Sequence, residues 1–129
     1  MSVQQNSAAV AAARAFVEAW DRHDLDAVRA ALSDDVWMTM VAADPSFPRT
    51  ELNGLDAYME GLLESKDAVV PGSTEVVEAA GDATQALLRV NAKVRFGRDA
   101  PEMDARSARM YVLDGDGKIT IEHVIFFLS

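Results

Sequence analysis

ARSARMYVLDGDGKITIEHVIFFLS, residues 105–129, is the stretch that decides the fold. Two long runs rich in β-branched and aromatic residues flank an Asp-Gly-Asp-Gly turn, and this pattern predicts a long antiparallel hairpin. The chain before it opens with helical patterns. Helices first and long strands last predict an α+β fold in which a curved sheet wraps around helices and forms a pocket.

Three helices are predicted in the first half of the chain. In residues 7–20 the larger apolar side chains recur at helical spacing, with Asn6 or Ser7 as the N-cap. Asp24 caps a second, short helix that ends before residues 33–35. Asn53 caps a third helix that extends to about residue 65.

The remaining segments predict strands and one loop. Residues 36–41 predict a strand, whereas residues 43–52 contain two prolines and predict a loop that is the best candidate for a lid or rim. Residues 74–80 and 83–96 predict a second hairpin. The second arm of this hairpin alternates, and its apolar set is expected to face the core: Leu88, Val90, Ala92, Val94 and Phe96.

Composition limits the classes of function. The chain has 129 residues, 50% of them hydrophobic, so we predict a single domain over residues 1–129 with a flexible N-terminus of about residues 1–6. A net charge of −9 argues against nucleic acid and anionic membranes as partners. There is no cysteine, and His23 and His123 lack ligand spacing, so neither a metal nor a cofactor is expected. We predict a cytoplasmic protein.

Three segments carry a resemblance to a known family. They are AFVEAWDRHDLDAVRAALSDDV (15–36), ELNGLDAYMEGL (51–62) and DGDGKITIEHVIFFL (114–128). In this order they resemble the SnoaL-like branch of the nuclear transport factor two superfamily, over nearly the whole chain. The resemblance implies a cone, in which a curved mixed or antiparallel sheet surrounds three helices as a cystatin-like α+β barrel. It also implies an apolar pocket on the concave face and often a dimer through the convex face.

The superfamily includes ketosteroid isomerase, limonene epoxide hydrolase, polyketide cyclases and non-catalytic binding modules, so the fold alone does not determine the function. Alignment by spacing puts Phe16, Met40 and Arg109 where the isomerase has its tyrosine, its base and its aspartic acid. Val124 stands where the hydrolase carries an aspartate, and the segment that reads EHWD-like in the cyclases is Glu122-His123-Val124-Ile125 here, without their general acid. Asp44 would replace the missing base only if its loop turned inward, and a turn-starting role is the alternative.

A different set of polar residues remains in the terminal hairpin. A four-residue connection over 114–117 would place three pairs opposite each other: Arg109 with Glu122, Tyr111 with Thr120, and Ser107 with Val124. The resemblance puts this face inside the cone, where Arg109, Glu122 and Tyr111 would be catalytic, with Glu122 as the base. The alternative is that the more apolar opposite face is the core. Arg109 and Glu122 would then be a weak surface pair.

The predicted pocket wall consists of large or adaptable apolar side chains: Phe16, Trp20, Met40, Tyr58, Met59, Val90, Val124 and Phe126. We predict a cofactor-independent isomerase, cyclase or hydratase, including an epoxide hydrolase, that acts on a small apolar, oxygen-bearing molecule such as a polyketide, terpenoid or steroid. The alternative is a non-catalytic ligand-binding or dimerisation domain. Two apolar faces predict a homodimer, with His123 partly buried in its interface.

Overall fold

The computed structural model describes residues 7–129, so the flexible N-terminus predicted for residues 1–6 lies outside the described residues. Within that range the helices are α1 (Ala8–Asp21), α2 (Leu25–Ala31) and α3 (Leu55–Ser65), and a short 3₁₀ turn (Lys66–Ala68) follows α3. The strands, in chain order, are β1 (Leu32–Ala42), β2 (Thr50–Asn53), β3 (Glu75–Gly81), β4 (Gln85–Val94), β5 (Met103–Leu113) and β6 (Ile119–Leu128). No helix in the described part of the chain is long and apolar enough to cross a membrane.

Local signals set the starts of the first two helices. The Ser7 hydroxyl accepts a hydrogen bond from the Val10 amide at 3.2 Å, and Asp24 accepts one from the Ala27 amide at 3.1 Å. The predicted cap of the third helix is wrong, because Asn53 ends β2 and Gly54 occupies the cap position. Gly54 has φ of 92°, which glycine adopts without strain, and its amide donates to the Val36 carbonyl at 2.7 Å.

All six strands form one sheet in the order β2-β1-β6-β5-β4-β3. β1 and β6 are parallel, and every other neighbouring pair is antiparallel. The sheet is curved and mixed as predicted, but it stays open between β2 and β3 and does not close into a barrel. The helices pack against one face, which we call the concave face; the other is the outer face.

The first strands differ from the prediction. β1 begins four residues earlier than expected, because Leu32 already pairs with Ile119 across a bulge. The predicted loop is shorter, because the chain after Pro48 returns along β1 and pairs Thr50 with Met40. Local propensity does not show which residues pair with a neighbouring strand. The predictions for the start of β1 and for the end of the following loop are therefore wrong.

The register of the terminal hairpin is shifted by two residues from the predicted one. Arg109 lies opposite Val124, Tyr111 opposite Glu122, and Ser107 opposite Phe126. A bulge between Val112 and Leu113 and a connection closed by the Asp114 amide on the Lys118 carbonyl produce the shift. Because two residues are one side-chain period, every residue keeps its predicted face.

The core lies between the helices and the concave face of the sheet. Its largest fully buried side chains are Tyr58, Tyr111, Phe16, Leu62, Leu88 and Ile119. Leu88, Val90 and Val94 are buried as the alternation of β4 predicts. Phe96 is 55% exposed, contrary to expectation, because β4 ends at Val94.

Candidate functional site on the concave face

A buried carboxylate is held by two tyrosines at the centre of the concave face. Glu122 of β6 is 4% exposed. Its Oε1 accepts a hydrogen bond from the Tyr58 hydroxyl of α3 at 2.7 Å, and its Oε2 accepts one from the Tyr111 hydroxyl of β5 at 2.7 Å. An unpaired buried carboxylate is very costly, and two hydroxyl donors offset this cost.

Trp20 determines which way the hydrogen bond between Tyr58 and Glu122 runs. Its indole Nε1 donates to the Tyr58 hydroxyl oxygen at 3.1 Å. An indole N–H can only donate, so the single proton of Tyr58 is left to point at Glu122. Glu122 is therefore an acceptor at Oε1, oriented by residues from α1 and α3.

Both tyrosines keep their protons at neutral pH. Burial in the core raises the pKa of Tyr58 and of Tyr111 well above the ordinary value for tyrosine, and the nearby Glu122 carboxylate adds to the shift in each case. A phenolate beside a carboxylate in an apolar core would be strongly unfavourable. The two hydroxyls are thus permanent donors to Glu122 over the physiological range.

Arg109 extends from β5 on the same face, where its cross-strand neighbour is Val124. Its Nε donates to the Ser107 hydroxyl at 2.9 Å, and that hydroxyl donates to the Val90 carbonyl at 3.3 Å. Burial disfavours the guanidinium charge, but the neighbouring Tyr111 hydroxyl and the Glu122 carboxylate stabilise it more, so the pKa of Arg109 is raised above its ordinary value.

The expected contact between Arg109 and Glu122 is absent. No ion pair within 4.0 Å joins these two described residues. The shifted register is the reason, since it puts Tyr111 opposite Glu122 and moves Arg109 one pair along the hairpin. The alternative of a surface Arg109–Glu122 pair is also wrong, because Glu122 is buried.

The predicted wall residues divide into two groups. Phe16, Tyr58, Val90 and Val124 are buried, and the Phe16 ring packs against Tyr58 and Tyr111 at centroid distances of 6.2 and 5.8 Å. The partly exposed members are Trp20, Met40, Met59 and Phe126. The concave face therefore changes from packed core around Tyr111 to a partly open end around Arg109, Ser107 and Phe126.

The connection between β1 and β2 covers this open end in part. The Phe47 ring lies edge-on to Phe126 with centroids 6.4 Å apart. Asp44 is exposed, and its side chain accepts the Ser46 amide at 2.9 Å; this backbone hydrogen bond, with a smaller contribution from the Ser46 side chain, lowers the pKa of Asp44. Asp44 therefore starts a turn and does not point inward as a replacement base.

A hollow of about 820 Å³ is lined mostly by residues of the outer face, but Arg109 and Leu88 of the concave face also border it. Its lining includes Val77, Leu87, Met110, His123 and Ile125. His123 Nδ1 lies 2.6 Å from the Thr39 hydroxyl and packs edge-on to Trp37 at 4.8 Å, and His123 is partly exposed. Among the described residues, no group of three or more histidine or acidic side chains could hold a metal ion.

Sequence reasoning found the polar residues of the concave face but missed how they are connected. Alternation along β5 and β6 assigned Arg109, Tyr111 and Glu122 to one face. The roles of Ser107 as the partner of Arg109, and of Tyr58 as a donor to Glu122 from 64 positions away, were not predicted. The Ser107-x-Arg109 spacing could have indicated the first contact, since residues two apart on a strand share a face.

The sequence matches a known protein family over most of its length. The sequence profile described as the SnoaL-like domain matches residues 13–122. The chain belongs to the SnoaL-like domain family. The match begins within α1 and ends at Glu122 in β6, so it includes most of the elements that build the concave face of this SnoaL-like domain.

Solved structures share the fold of this SnoaL-like domain. A computationally designed 17-OHP binder has 16% identity and a TM-score of 0.78 over 96% of this chain and 100% of that one. RV0760c from Mycobacterium tuberculosis, in complex with estradiol-17beta-hemisuccinate, has 16% identity and a TM-score of 0.76, over 92% and 93%. An LEH-like epoxide hydrolase from M. tuberculosis has 23% identity and a TM-score of 0.70, over 92% of this chain and 82% of that one. A search of curated proteins gave no match.

Proposed function

We propose that this SnoaL-like domain binds a small, largely apolar, oxygen-bearing molecule on the concave face. We further propose that it catalyses a cofactor-independent acid/base reaction on that molecule: isomerisation, cyclisation or hydration, including epoxide opening. The observation that carries the proposal is the buried Glu122 carboxylate, oriented by two hydroxyls and followed on the same face by a guanidinium. A preorganised base near a fixed cation is an arrangement that acid/base catalysis uses.

Each polar residue has a role that follows from its bonding. Glu122 is the base, because each of its oxygens accepts one tyrosine proton and keeps a further lone pair for a proton from substrate or water. Tyr111 and Tyr58 hold the carboxylate in place. Arg109 donates to the carbonyl, epoxide or developing enolate oxygen of the substrate.

The apolar residues around the partly open end would bind the rest of the molecule. Met40 and Phe126 are partly exposed there, and Val90 and Val124 are buried near Arg109. Met59 of α3 is also partly exposed. Methionine and aromatic side chains adapt to ligands of several shapes. Phe47 of the β1–β2 connection, which already contacts Phe126, would close over a bound ligand.

A second candidate function is non-catalytic binding of the same class of molecule. It is favoured by the engagement of both Glu122 oxygens and by the presence of Phe16, Met40 and Val124 where catalytic relatives carry reactive groups. One structure of this fold is a designed 17-OHP binder. Both candidates use the concave face, and they differ only in whether a product forms.

Thermal shift with a library of ketones, lactones and epoxides, followed by product analysis, tests the proposal. We expect stabilising ligands, at least one of which is converted, and loss of conversion in Glu122→Gln with binding retained. Glu75→Gln, on an exposed residue of β3, is the control and should behave as the parent chain. Conversion that survives Glu122→Gln would remove Glu122 as the base, and binding without any conversion would favour the second candidate.

We also propose that two copies associate through their outer faces. Leu87, Ile125 and Phe127 are exposed there, and a contiguous apolar sheet face is typical of an interface. Sedimentation at micromolar concentration should give twice the chain mass of 14.0 kDa, and a monomer would contradict the proposal. The single domain and the cytoplasmic location stay predictions from the sequence.

A further inference from the structure

The charge of Arg109 is not neutralised by contact with an acid of the protein. Its Nε bonds to a neutral hydroxyl, and none of the described carboxylates lies within 4.0 Å of its guanidinium. Two exposed arginines differ: Arg89 of β4 pairs with Glu78 at 2.7 Å, and Arg95, just after β4, pairs with Glu102 at 3.0 Å. Water stabilises the charges of these exposed arginines even without an ion pair. Arg109 is partly buried and has no acidic partner among the described residues.

Glu122 cannot serve as that partner in this arrangement. Both of its oxygens accept tyrosine protons, and Trp20 fixes the direction of the Tyr58 bond. Turning Glu122 toward Arg109 would leave at least one buried hydroxyl without an acceptor, which is costly. The two charges therefore stay near each other without contact, and the guanidinium remains available to a ligand.

The surroundings of Arg109 suit one kind of ligand. Nε is engaged by Ser107, and the nearby Tyr111 hydroxyl also stabilises the guanidinium charge. None of the described acids contacts the terminal nitrogens, which form a planar fork that matches the two oxygens of a carboxylate. Val124 lies directly across the strand pair, and Phe126 lies opposite Ser107. Apolar neighbours exclude water and strengthen a charge-assisted hydrogen bond, and they suit an apolar ligand body.

The negative charge of Glu122 does not prevent this binding. A carboxylate in contact with a guanidinium lies at about 2.7–2.9 Å, whereas Glu122 is more than 4.0 Å from that group and its charge is offset by two hydroxyl donors. Coulomb attraction falls with distance, so the direct contact dominates. A ligand entering from the partly exposed end at Ser107 and Phe126 also reaches Arg109 before Glu122.

We infer that the ligand of this site is a small apolar molecule that carries a carboxylate, and that Arg109 binds this carboxylate through its two terminal nitrogens. The inference rests on the proposed function and changes one role in it, because Arg109 then holds an anion in the ground state instead of donating to the reacting oxygen. Glu122 then acts on another part of the molecule.

Isothermal titration with two probes of the same shape tests the inference. The probes are 4-phenylbutyrate and 4-phenylbutyramide, at about 0.15 M ionic strength, where surface attraction is screened. We expect one equivalent of the acid to bind about tenfold or more tightly than the amide. In Arg109→Met the acid should lose this advantage, and in Arg109→Lys, which keeps the charge without the fork, the advantage should be reduced.

Arg106→Met is the matched control, because Arg106 lies on the same strand but is exposed on the outer face. It should keep the full preference for the acid, and circular dichroism should show that all variants fold. Acid and amide binding equally to the parent chain would overturn the inference and leave the proposed function standing. A preference for the acid that Arg106→Met abolishes would also overturn it, by moving the site to the outer face. Failure of both probes and of the neutral library would count against the proposed function itself.

Discussion

The two faces of the β5–β6 hairpin have the same backbone and opposite chemistry. On the concave face Tyr111 and Glu122 are buried and bonded to each other. On the outer face their neighbours Met110 and His123 border an open hollow flanked by exposed Leu87 and Ile125. At these positions polar groups lie inside and apolar groups outside, the reverse of the usual alternation on an antiparallel sheet. This local reversal supports both proposals, a ligand site on the concave face and an interface between two copies on the outer face.

The largest expected change in stability comes from removing the Tyr111 ring, which links β5 to β6 on the concave face. Tyr111→Ala should lower the free energy of unfolding by about 3–5 kcal/mol, because it leaves a cavity beside Phe16 and takes a donor from Glu122. Chemical denaturation measures the change. Leu87→Ala, on the outer face, should change it by about 0.5 kcal/mol or less. Equal losses would mean that the two faces are not energetically different.

High pH should destabilise the concave face specifically. The folded-state pKa values of Tyr58 and Tyr111 are raised, so the unfolded chain releases its tyrosine protons first. The stabilising contribution is complete below about pH 10 and is lost as pH rises, by about 1.4 kcal/mol per pH unit for each tyrosine that stays protonated.

Tyrosinate absorbance provides a direct measurement, since the chain has only these two tyrosines. The folded protein should show little phenolate between pH 10 and 11, and the signal should appear together with unfolding. An ordinary tyrosine titration in the folded chain, with no loss of stability, would contradict the buried network.

Hydrogen bonds of equal length should contribute unequally to the free energy of unfolding on the two faces. Tyr58→Phe removes a buried 2.7 Å bond to Glu122 and should cost about 1–3 kcal/mol. The outer bond from Trp37 Nε1 to Glu51 is also 2.7 Å long but exposed, so Glu51→Ala should cost about 0.5 kcal/mol or less. Urea denaturation of the two variants measures both losses of unfolding free energy. A larger loss in Glu51→Ala than in Tyr58→Phe would contradict the prediction.

The smallest effect on folding should accompany a large effect on assembly. Leu87 is 61% exposed, so Leu87→Glu should change the unfolding free energy of the monomer by about 0.5 kcal/mol or less. Burying the new charge in an apolar interface is unfavourable, so the variant should be monomeric by sedimentation. Gln85→Glu, at the exposed start of β4, is a control that should leave the mass unchanged. An unaltered dimer in Leu87→Glu would exclude this part of the outer face as the interface.

Parts of the site were predictable because they depend on short-range periodicity. The two-residue period of a strand assigned Ser107, Arg109 and Tyr111 to one face, and an even register shift could not change that. The spacing of Phe16 and Trp20 likewise indicated one helix face. What each side chain bonds to was not predictable, since Arg109 was expected to meet Glu122 and Tyr111 occupies that position instead.

The amino-acid sequence alone determined the three helices and the long strands, the cap at Asp24, the residues that share each face and the family, because local hydrogen bonds and side-chain periods are encoded within a few residues. Only the tertiary structure decided the pairing of Tyr111 with Glu122 and the approach of Tyr58 from α3. The first depends on a bulge at Val112 and Leu113, and the second on how a helix packs across the sheet. Both depend on contacts between segments that are distant in the sequence, and local sequence patterns do not reveal the energies of such contacts.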